Sequence, residues 1–283
     1  MSYSVQTYVA VNVCAPASHP SASVFLPPGY TLTCGGAFDI WQSPGLGNIL
    51  TASNPIQSSG GAWSGWYAAG KDHDFLVDPA PLAVFAIGIT VNGGAIPVYN
   101  TVTQATGAQA QHPTSSVNVA SGYLCTGGGA SDNYGSGVGN MLTGSYPLLD
   151  SDGTGTMVGW QAVGKDQLVP DPSTVTAYAV GIQIPDLPAP GFGISSSATQ
   201  TSLPGEYPTV SVFPGLDDNT WVIGGGANDV YTGVGNLLTA SYPIFSTNTG
   251  TITGWTASGK DQGTPDPSGT VTVYAITLTL PDA

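Results

Sequence analysis

The chain has 283 residues, enough for one large domain or for two or three small ones. Only 7% of the residues are charged, and 3 lysines against 17 acidic residues give a formal net charge of −14. We therefore expect neither nucleic acid nor anionic membranes as partners, because binding to both needs clusters of Lys or Arg. The 40 glycines and 23 prolines favour short strands joined by tight turns, so we predict an all-β protein.

One pattern of landmarks occurs three times along the chain, at a period of about 94 residues. In chain order it runs Gly-Gly-Ala, an Asp, an aromatic residue, Gly-x-Gly-Asn, Leu-Thr-x-Ser-x-Pro, Gly-Trp, Gly-Lys-Asp and Asp-Pro. The chain is therefore a triplicated module, with predicted copies at 1–99, 100–190 and 191–283. The boundaries fall near residues 91–100 and in the Pro-rich run 185–193.

Each copy is predicted to contain five or six short strands and no helix. The Gly-Gly-Ala and Leu-Thr-x-Ser-x-Pro segments come first, and the Gly-Trp strand follows a turn such as Asp150–Gly153. In the Gly-Trp strand, side-chain alternation places Trp160, Ala162 and Gly164 on one face. The closing strand comes after the Asp-Pro corner, and residues 174–180 alternate with a period of two.

Two architectures fit three such copies. One is a threefold β-prism, in which each copy gives one antiparallel sheet and the sheets close around a shared axis. The alternative is three tandem β-sandwich modules of about 94 residues each, a length adequate for an independent domain.

The Gly-Trp and Gly-Lys-Asp pattern, together with the segment from Gly-Gly-Ala to Leu-Thr-x-Ser-x-Pro, resembles β-prism repeat modules. These are the threefold modules of vitelline membrane outer layer protein I, which also occur at the C-termini of bacterial perforin-like toxins. The resemblance covers about two thirds of each copy. It implies surface attachment, often to glycans, rather than catalysis. The chain departs from those toxins because it has no perforin domain, so pore formation is not implied.

The lysines recur at one place in every copy. They are the only basic side chains besides histidine, and an Asp follows each one directly. Neighbouring side chains of a strand point to opposite faces, so we expect each Lys to meet an acid from another strand, such as the Asp of an Asp-Pro corner. The alternatives are a structural ion pair or a contact with an anion or a sugar hydroxyl. These repeat lysines are Lys71, Lys165 and Lys260.

The segment after each Gly-Gly-Ala is the strongest candidate for a binding site. It combines a carboxylate that accepts from hydroxyl groups, an aromatic ring, glycines and an amide. We predict that each copy binds one sugar residue there. The alternative is a bulge and turn in which Asp and Asn bond their own backbone. The repeat aspartates are Asp39, Asp132 and Asp229; the repeat aromatics are Trp41, Tyr134 and Tyr231; the repeat asparagines are Asn48, Asn140 and Asn236.

No other residues indicate a catalytic or metal site. Three cysteines without close spacing exclude a disulfide framework and a Cys-based zinc site, and Cys34 and Cys125 are predicted as buried free thiols, with a Cys14–Cys34 bridge as the alternative. The acids around Asp150 are interpreted as a hairpin turn rather than a calcium site. The tryptophans of the Gly-Trp strands are expected in the core, and they are Trp66, Trp160 and Trp255. We expect no cofactor.

The chain is accordingly predicted to be a non-enzymatic, multivalent protein that binds neutral glycans or a glycosylated cell surface, in the manner of a lectin. Three equal sites on one body would raise avidity, whereas enzymes rarely repeat one catalytic site. Such a protein would act outside the cell or on its surface, although the first residues lack the basic segment of a signal peptide. It could serve as the targeting part of a defence or insecticidal toxin. The alternatives are a self-assembling coat protein and a glycoside-active enzyme.

Overall fold

The computed structural model describes residues 3–41, 47–72, 78–135, 140–151, 156–185, 195–231, 233 and 236–280. These residues form 18 β-strands and one turn of 3-10 helix, Asn92–Gly94, and contain no α-helix. None of them belongs to a helix that could span a membrane. The prediction of an all-β protein built from three repeats is confirmed.

Each predicted copy contains six strands. In the first copy they are β1 (Val5–Val13), β2 (Ser21–Phe25), β3 (Thr31–Asp39), β4 (Ile49–Gln57), β5 (Trp63–Lys71) and β6 (Leu82–Val91). In the second copy they are β7 (Tyr99–Thr106), β8 (Thr114–Asn118), β9 (Leu124–Asp132), β10 (Met141–Leu149), β11 (Met157–Lys165) and β12 (Val175–Gln183). In the third copy they are β13 (Ser195–Thr201), β14 (Thr209–Val212), β15 (Thr220–Val230), β16 (Leu237–Phe245), β17 (Ile252–Lys260) and β18 (Thr270–Thr279).

The strands form three antiparallel sheets of six strands, and every sheet is shared between two copies. The orders are β1-β6-β3-β16-β17-β14, β2-β5-β4-β9-β12-β7 and β13-β18-β15-β10-β11-β8. This arrangement differs from the single sheet per copy of the β-prism architecture described above. Each copy instead gives three strands to each of two sheets, and these two halves pack against each other within the copy.

Neighbouring copies are joined where two half-sheets meet, and we call each such contact a joint. Joint 1–2 pairs β4 with β9, joint 2–3 pairs β10 with β15, and joint 3–1 pairs β16 with β3. Only two residue pairs form each strand pairing, for example Ser241 with Ala37 and Ala240 with Phe38. Because the pairing is so short, most of the attachment between copies must come from side chains.

The Gly-Gly of each repeat is required by packing on both sides of its strand. A Cβ on Gly128 would overlap the ring of Trp160 in the same copy, and one on Gly129 would overlap the backbone of Ser53 in the preceding copy. The same two overlaps occur in the other copies. The first glycine therefore makes room for the core tryptophan, and the second lets strands of two copies approach at the joint.

One tryptophan–serine pair recurs in the core of every copy. The tryptophans of the Gly-Trp strands are fully buried, as predicted, and each indole Nε1 donates to a serine Oγ at 2.9 Å. Where the copies converge, one apolar residue from each copy forms a buried cluster, and its members are Ile49, Met141 and Leu237. The three copies thus share an interior.

A second contact between all three copies lies on β3, β9 and β15. Thr126 Oγ1 donates to the carbonyl of Thr33 at 2.9 Å, and Thr33 Oγ1 donates to the carbonyl of Ile223 at 2.8 Å. The next position is Cys34 in the first copy, while glycines stand there in the other two because a Cβ would overlap Cys34. All three cysteines are free, so the Cys14–Cys34 bridge is not formed.

Candidate functional site

The repeat lysines lie at the joints and are at most 2% exposed. Each ammonium contacts the repeat aromatic of the following copy. Lys71 Nζ is 3.9 Å from the ring centroid of Tyr134, and Lys165 Nζ is 4.0 Å from that of Tyr231. Lys260 completes the cycle, 4.6 Å from the ring centroid of Trp41. A cation over an aromatic face is attracted by the ring quadrupole, and more strongly when water is excluded.

The repeat aspartates accompany these pairs and belong to the same copy as the aromatic ring. Lys260 faces Asp39, Lys71 faces Asp132 and Lys165 faces Asp229. All three carboxylates are buried. Ser173 Oγ donates to Asp132 Oδ1 at 2.6 Å, whereas both oxygens of Asp39 and of Asp229 lack a hydrogen-bond partner among the described residues.

Burial dominates the ionisation of these groups. Desolvation raises the pKa of Asp39 to about 8 and that of Asp132 to about 6, although the facing lysine opposes the shift in both cases. Desolvation raises the pKa of Asp229 as well. It lowers the pKa of Lys165 and of Lys260 to about 8, against the attraction of the nearby carboxylates. At joint 3–1 the pKa of the acid, Asp39, and that of the base, Lys260, are therefore both about 8.

Further acids surround each lysine, and they too come from the following copy. At joint 3–1 the charges near Lys260 include Asp72 and Asp78 besides Asp39. Asp72 Oδ2 accepts the backbone N–H of Asp78 at 3.0 Å, which ties the Gly-Lys-Asp strand to the Asp-Pro corner. The corner acid expected beside each lysine is thus found at this joint, but it belongs to the next copy.

The repeat asparagines hold the backbone of their own copy. Asn48 Nδ2 donates to the carbonyl of Ala17 at 3.0 Å, and Asn236 Nδ2 donates to that of Gly205 at 3.2 Å. Asn140 Nδ2 lies 3.4 Å from the carbonyl of Ala110. All three side chains are buried. Their amide nitrogens therefore have a structural role, since each is directed at a backbone carbonyl of its own copy.

The predicted binding residues are thus brought together, but from two copies and beneath the surface. We call each group of repeat lysine, aspartate, aromatic and asparagine a joint cluster. Its carboxylate and amide are enclosed, and its aromatic ring is only partly exposed. The predicted glycines 137 and 139 and part of the predicted turn, 152–153, lie outside the described residues. A joint cluster can attach two copies to each other, and it offers a sugar residue no open surface at its carboxylate.

An open groove occurs instead at the opposite side of joint 3–1, built from residues that the repeat pattern does not include. Its volume is about 370 Å³. The first copy gives it Tyr30 and three residues of β1, and the third copy gives Trp221 and the turn between β16 and β17. The lining residues are Val5, Gln6, Thr7, Tyr30, Trp221, Thr249 and Thr251.

The walls of this groove are fixed by contacts outside it. Thr7 Oγ1 donates to the carbonyl of Gly250 at 3.0 Å and connects the two copies. Tyr30 packs against Tyr8, with ring centroids 5.1 Å apart, and Trp221 packs against the core. Two aromatic rings and several hydroxyl and amide groups therefore stand in a preformed cleft. The signal that could have found it is Trp221, a large aromatic residue whose counterparts in the other copies are Leu124 and Thr31.

No protein-family model and no curated protein matches this chain. Among the described residues, no group of three His, Cys, Asp or Glu side chains is arranged to hold a metal ion. The groove and the joint clusters are therefore the features of the molecule that bear on its function.

Proposed function

We propose that the protein binds neutral glycans without catalysis, through the groove at joint 3–1. The observation that carries this proposal is the combination of Tyr30 and Trp221 with hydroxyl and amide side chains in one open cleft. Aromatic rings cover the apolar faces of sugar rings, and hydroxyl and amide groups exchange hydrogen bonds with sugar hydroxyls. Binding of this kind suits a protein that acts outside the cell or on a glycosylated surface.

The charge of the groove supports a neutral ligand. None of its lining residues carries a charge, so an ionic ligand would lose hydration without gaining an ion pair there. Each hydrogen bond to a sugar hydroxyl replaces one to water and contributes only about 1 kcal/mol. Affinity for a single sugar is therefore expected to be weak, and stacking on the two rings is expected to supply much of it.

The groove occurs once per chain in this proposal, which differs from the three equal sites expected from the repeats. Trp221 pairs with Leu278 on the neighbouring strand, and the matching positions of the other copies hold Leu124 and Thr31. An aromatic wall is therefore missing from those positions. Avidity would then arise from several chains on one surface rather than from three sites on one chain.

Self-assembly into a coat receives less support from the outer strands. In the first copy Asn12 Nδ2 donates to the carbonyl of Ser23 at 3.0 Å, so that β1 is tied to β2. In the second copy Thr103 Oγ1 donates to the carbonyl of Asn118 and ties β7 to β8. Edge strands that are held by their own copy are less available for pairing with another chain.

A glycan array followed by titration calorimetry tests the proposal. Gln6→Ala and Trp221→Ala should each weaken binding to the glycans that the array selects, by about tenfold for the tryptophan because it removes a whole stacking surface. Phe213→Ala is the matched control, since Phe213 is 62% exposed and lies outside the groove. Circular dichroism verifies that each variant folds. Equal loss in all three variants, or no binding to any glycan, would contradict the proposal.

A further inference from the structure

A second cavity lies on the other side of Tyr30. Its volume is about 290 Å³, and Tyr30 is the one residue that lines both this cavity and the groove. Its other walls include Thr31, Thr90, Ile96 and Pro97. Like the groove, it has no charged lining residue. Two neutral concave sites therefore flank one aromatic side chain.

The two cavities are adjacent because of strand pairing. The groove is lined by Gln6 and Thr7 of β1, and the second cavity by Thr90 and Ile89 of β6. In the sheet Gln6 pairs with Thr90, and Thr7 pairs with Ile89. The two cavities therefore lie side by side along paired strands, with Tyr30 lining both.

The far wall of the second cavity is also fixed in advance. It is the segment that follows β6, and Asn92 Oδ1 accepts the backbone N–H of Ser4 at 2.8 Å at its start. At its end Thr31 Oγ1 donates to the carbonyl of Val98 at 2.9 Å. A wall held at both ends need not be ordered when a ligand arrives, which reduces the entropic cost of binding.

We infer that the groove and the second cavity are consecutive subsites for a neutral oligosaccharide of at least two sugar residues, with Tyr30 between them. This inference rests on the proposed function. One sugar residue lies between Tyr30 and Trp221, and the next lies against Thr90 and Pro97. The linkage between the two residues passes the Tyr30 ring. The ligand class is thus a glycan chain rather than a terminal monosaccharide.

The test compares monosaccharides with disaccharides on the full chain. The probes are glucose, galactose, mannose and N-acetylglucosamine, with maltose, cellobiose, lactose, mannobiose and chitobiose, each titrated by calorimetry. For the sugar that binds, the disaccharide should bind about tenfold more tightly than its monosaccharide. Pro97→Arg should remove this gain and leave the monosaccharide affinity unchanged, because Pro97 is exposed and lines only the second cavity.

Thr249→Arg is the matched variant for the groove, since Thr249 is likewise exposed and lines only that cavity. It should weaken monosaccharide and disaccharide alike. Equal affinity of both ligands for the unmodified chain, or a full gain in Pro97→Arg, would overturn the two-subsite arrangement and leave glycan binding intact. Absence of binding by every probe would overturn both the arrangement and the proposed function.

Discussion

The ammonium group of Lys260 lies over the ring of Trp41, so the third copy of the repeat is attached to the first. These two copies are not consecutive in the chain, unlike the copies at the other two joints. The contact therefore closes the series of copies without help from a covalent linker. Lys260 Nζ has no hydrogen-bond partner among the described residues, which leaves the ring and the nearby carboxylates as its stabilising contacts.

We expect Lys260→Met to lower the free energy of unfolding by about 3 kcal/mol, the usual effect of removing one member of a buried charged group. Methionine keeps most of the length of the side chain but loses the contact of the ammonium group with the Trp41 ring and with the nearby carboxyl groups. Denaturation by guanidinium chloride measures the change. Lys165→Met is the matched variant at joint 2–3 and should have a similar effect. A change below 1 kcal/mol in both variants would mean that the joint clusters contribute little to stability.

Glycan binding is expected to stabilise joint 3–1 selectively, because the groove is formed by the first and third copies only. Ligand at 100 times its dissociation constant stabilises the bound form by about 2.7 kcal/mol. Amide exchange in peptides that contain Ala37 and Ser241 should therefore slow by up to about a hundredfold, if these amides exchange by opening of the joint. Peptides that contain Ala130 and Ser53, at joint 1–2, are the internal control. Equal slowing at both joints would contradict the linkage.

Stability should fall as the pH rises from about 4 to about 8. The pKa of Asp132 is raised to about 6 and that of Asp39 to about 8, so in this range the folded chain binds protons that the unfolded chain has released. Above pH 8 the direction reverses, because the lowered pKa of Lys165 and Lys260 makes the folded chain release protons first. Unfolding curves at pH 5, 8 and 10 should thus show a minimum near pH 8.

Asp132→Asn is the control for this pH dependence. The amide has nearly the shape of the carboxylic acid but does not titrate, so the fall in stability between pH 5 and pH 7 should become shallower. A curve that is identical to that of the unmodified chain would show that Asp132 does not contribute. A steady rise in stability from pH 4 to pH 8 would contradict the shifts at all the joint clusters.

Gly128→Ala should destabilise the protein by about 3 kcal/mol, the upper range for a forced increase in volume. The added methyl group would overlap both the Trp160 ring and the backbone of Tyr178, and neither can move without disturbing the core. Gly135→Ala is the matched control, because a Cβ there has nothing within 4 Å. Thermal unfolding of the two variants measures the difference, and equal melting temperatures would refute the packing argument.

Much of the strand content could be predicted from the sequence because each strand carries its own period and turn residues. In β11 the predicted face of Trp160, Ala162 and Gly164 is buried, while Gln161 and Val163 are partly exposed. Lys165 is buried too, although alternation places it on the outer face. The alternation of side chains along β11 predicts burial within one copy alone, whereas the ring that covers Lys165 is that of Tyr231 in the next copy.

The joint clusters could be identified as groups of residues but not as contacts. Lys165, Asp132 and Tyr134 all occur in the second copy, and nothing in their spacing shows that Lys165 reaches Tyr231 in the third. The sequence of a repeat is the same whether the residue that contacts the lysine belongs to the same copy or to the next one. The sequence alone therefore does not show which copy supplies the contact. The groove was missed for the opposite reason, since Tyr30 and Trp221 fall outside the shared pattern.

The way the copies are joined has a consequence for a chain that contains only one of them. Every copy presents an ammonium group at one side and an aromatic ring with a carboxylate at the other. Identical copies can therefore bind one another head to tail and close into a ring, unlike the two copies of a two-fold dimer, which contact each other through the same surface. The second copy also carries both Thr126, whose hydroxyl donates to a backbone carbonyl of the first copy, and the small Gly127. Expressed alone, residues 99–185 should be unstable as a monomer and should assemble into a homotrimer, with three subunits in the places of the three repeats.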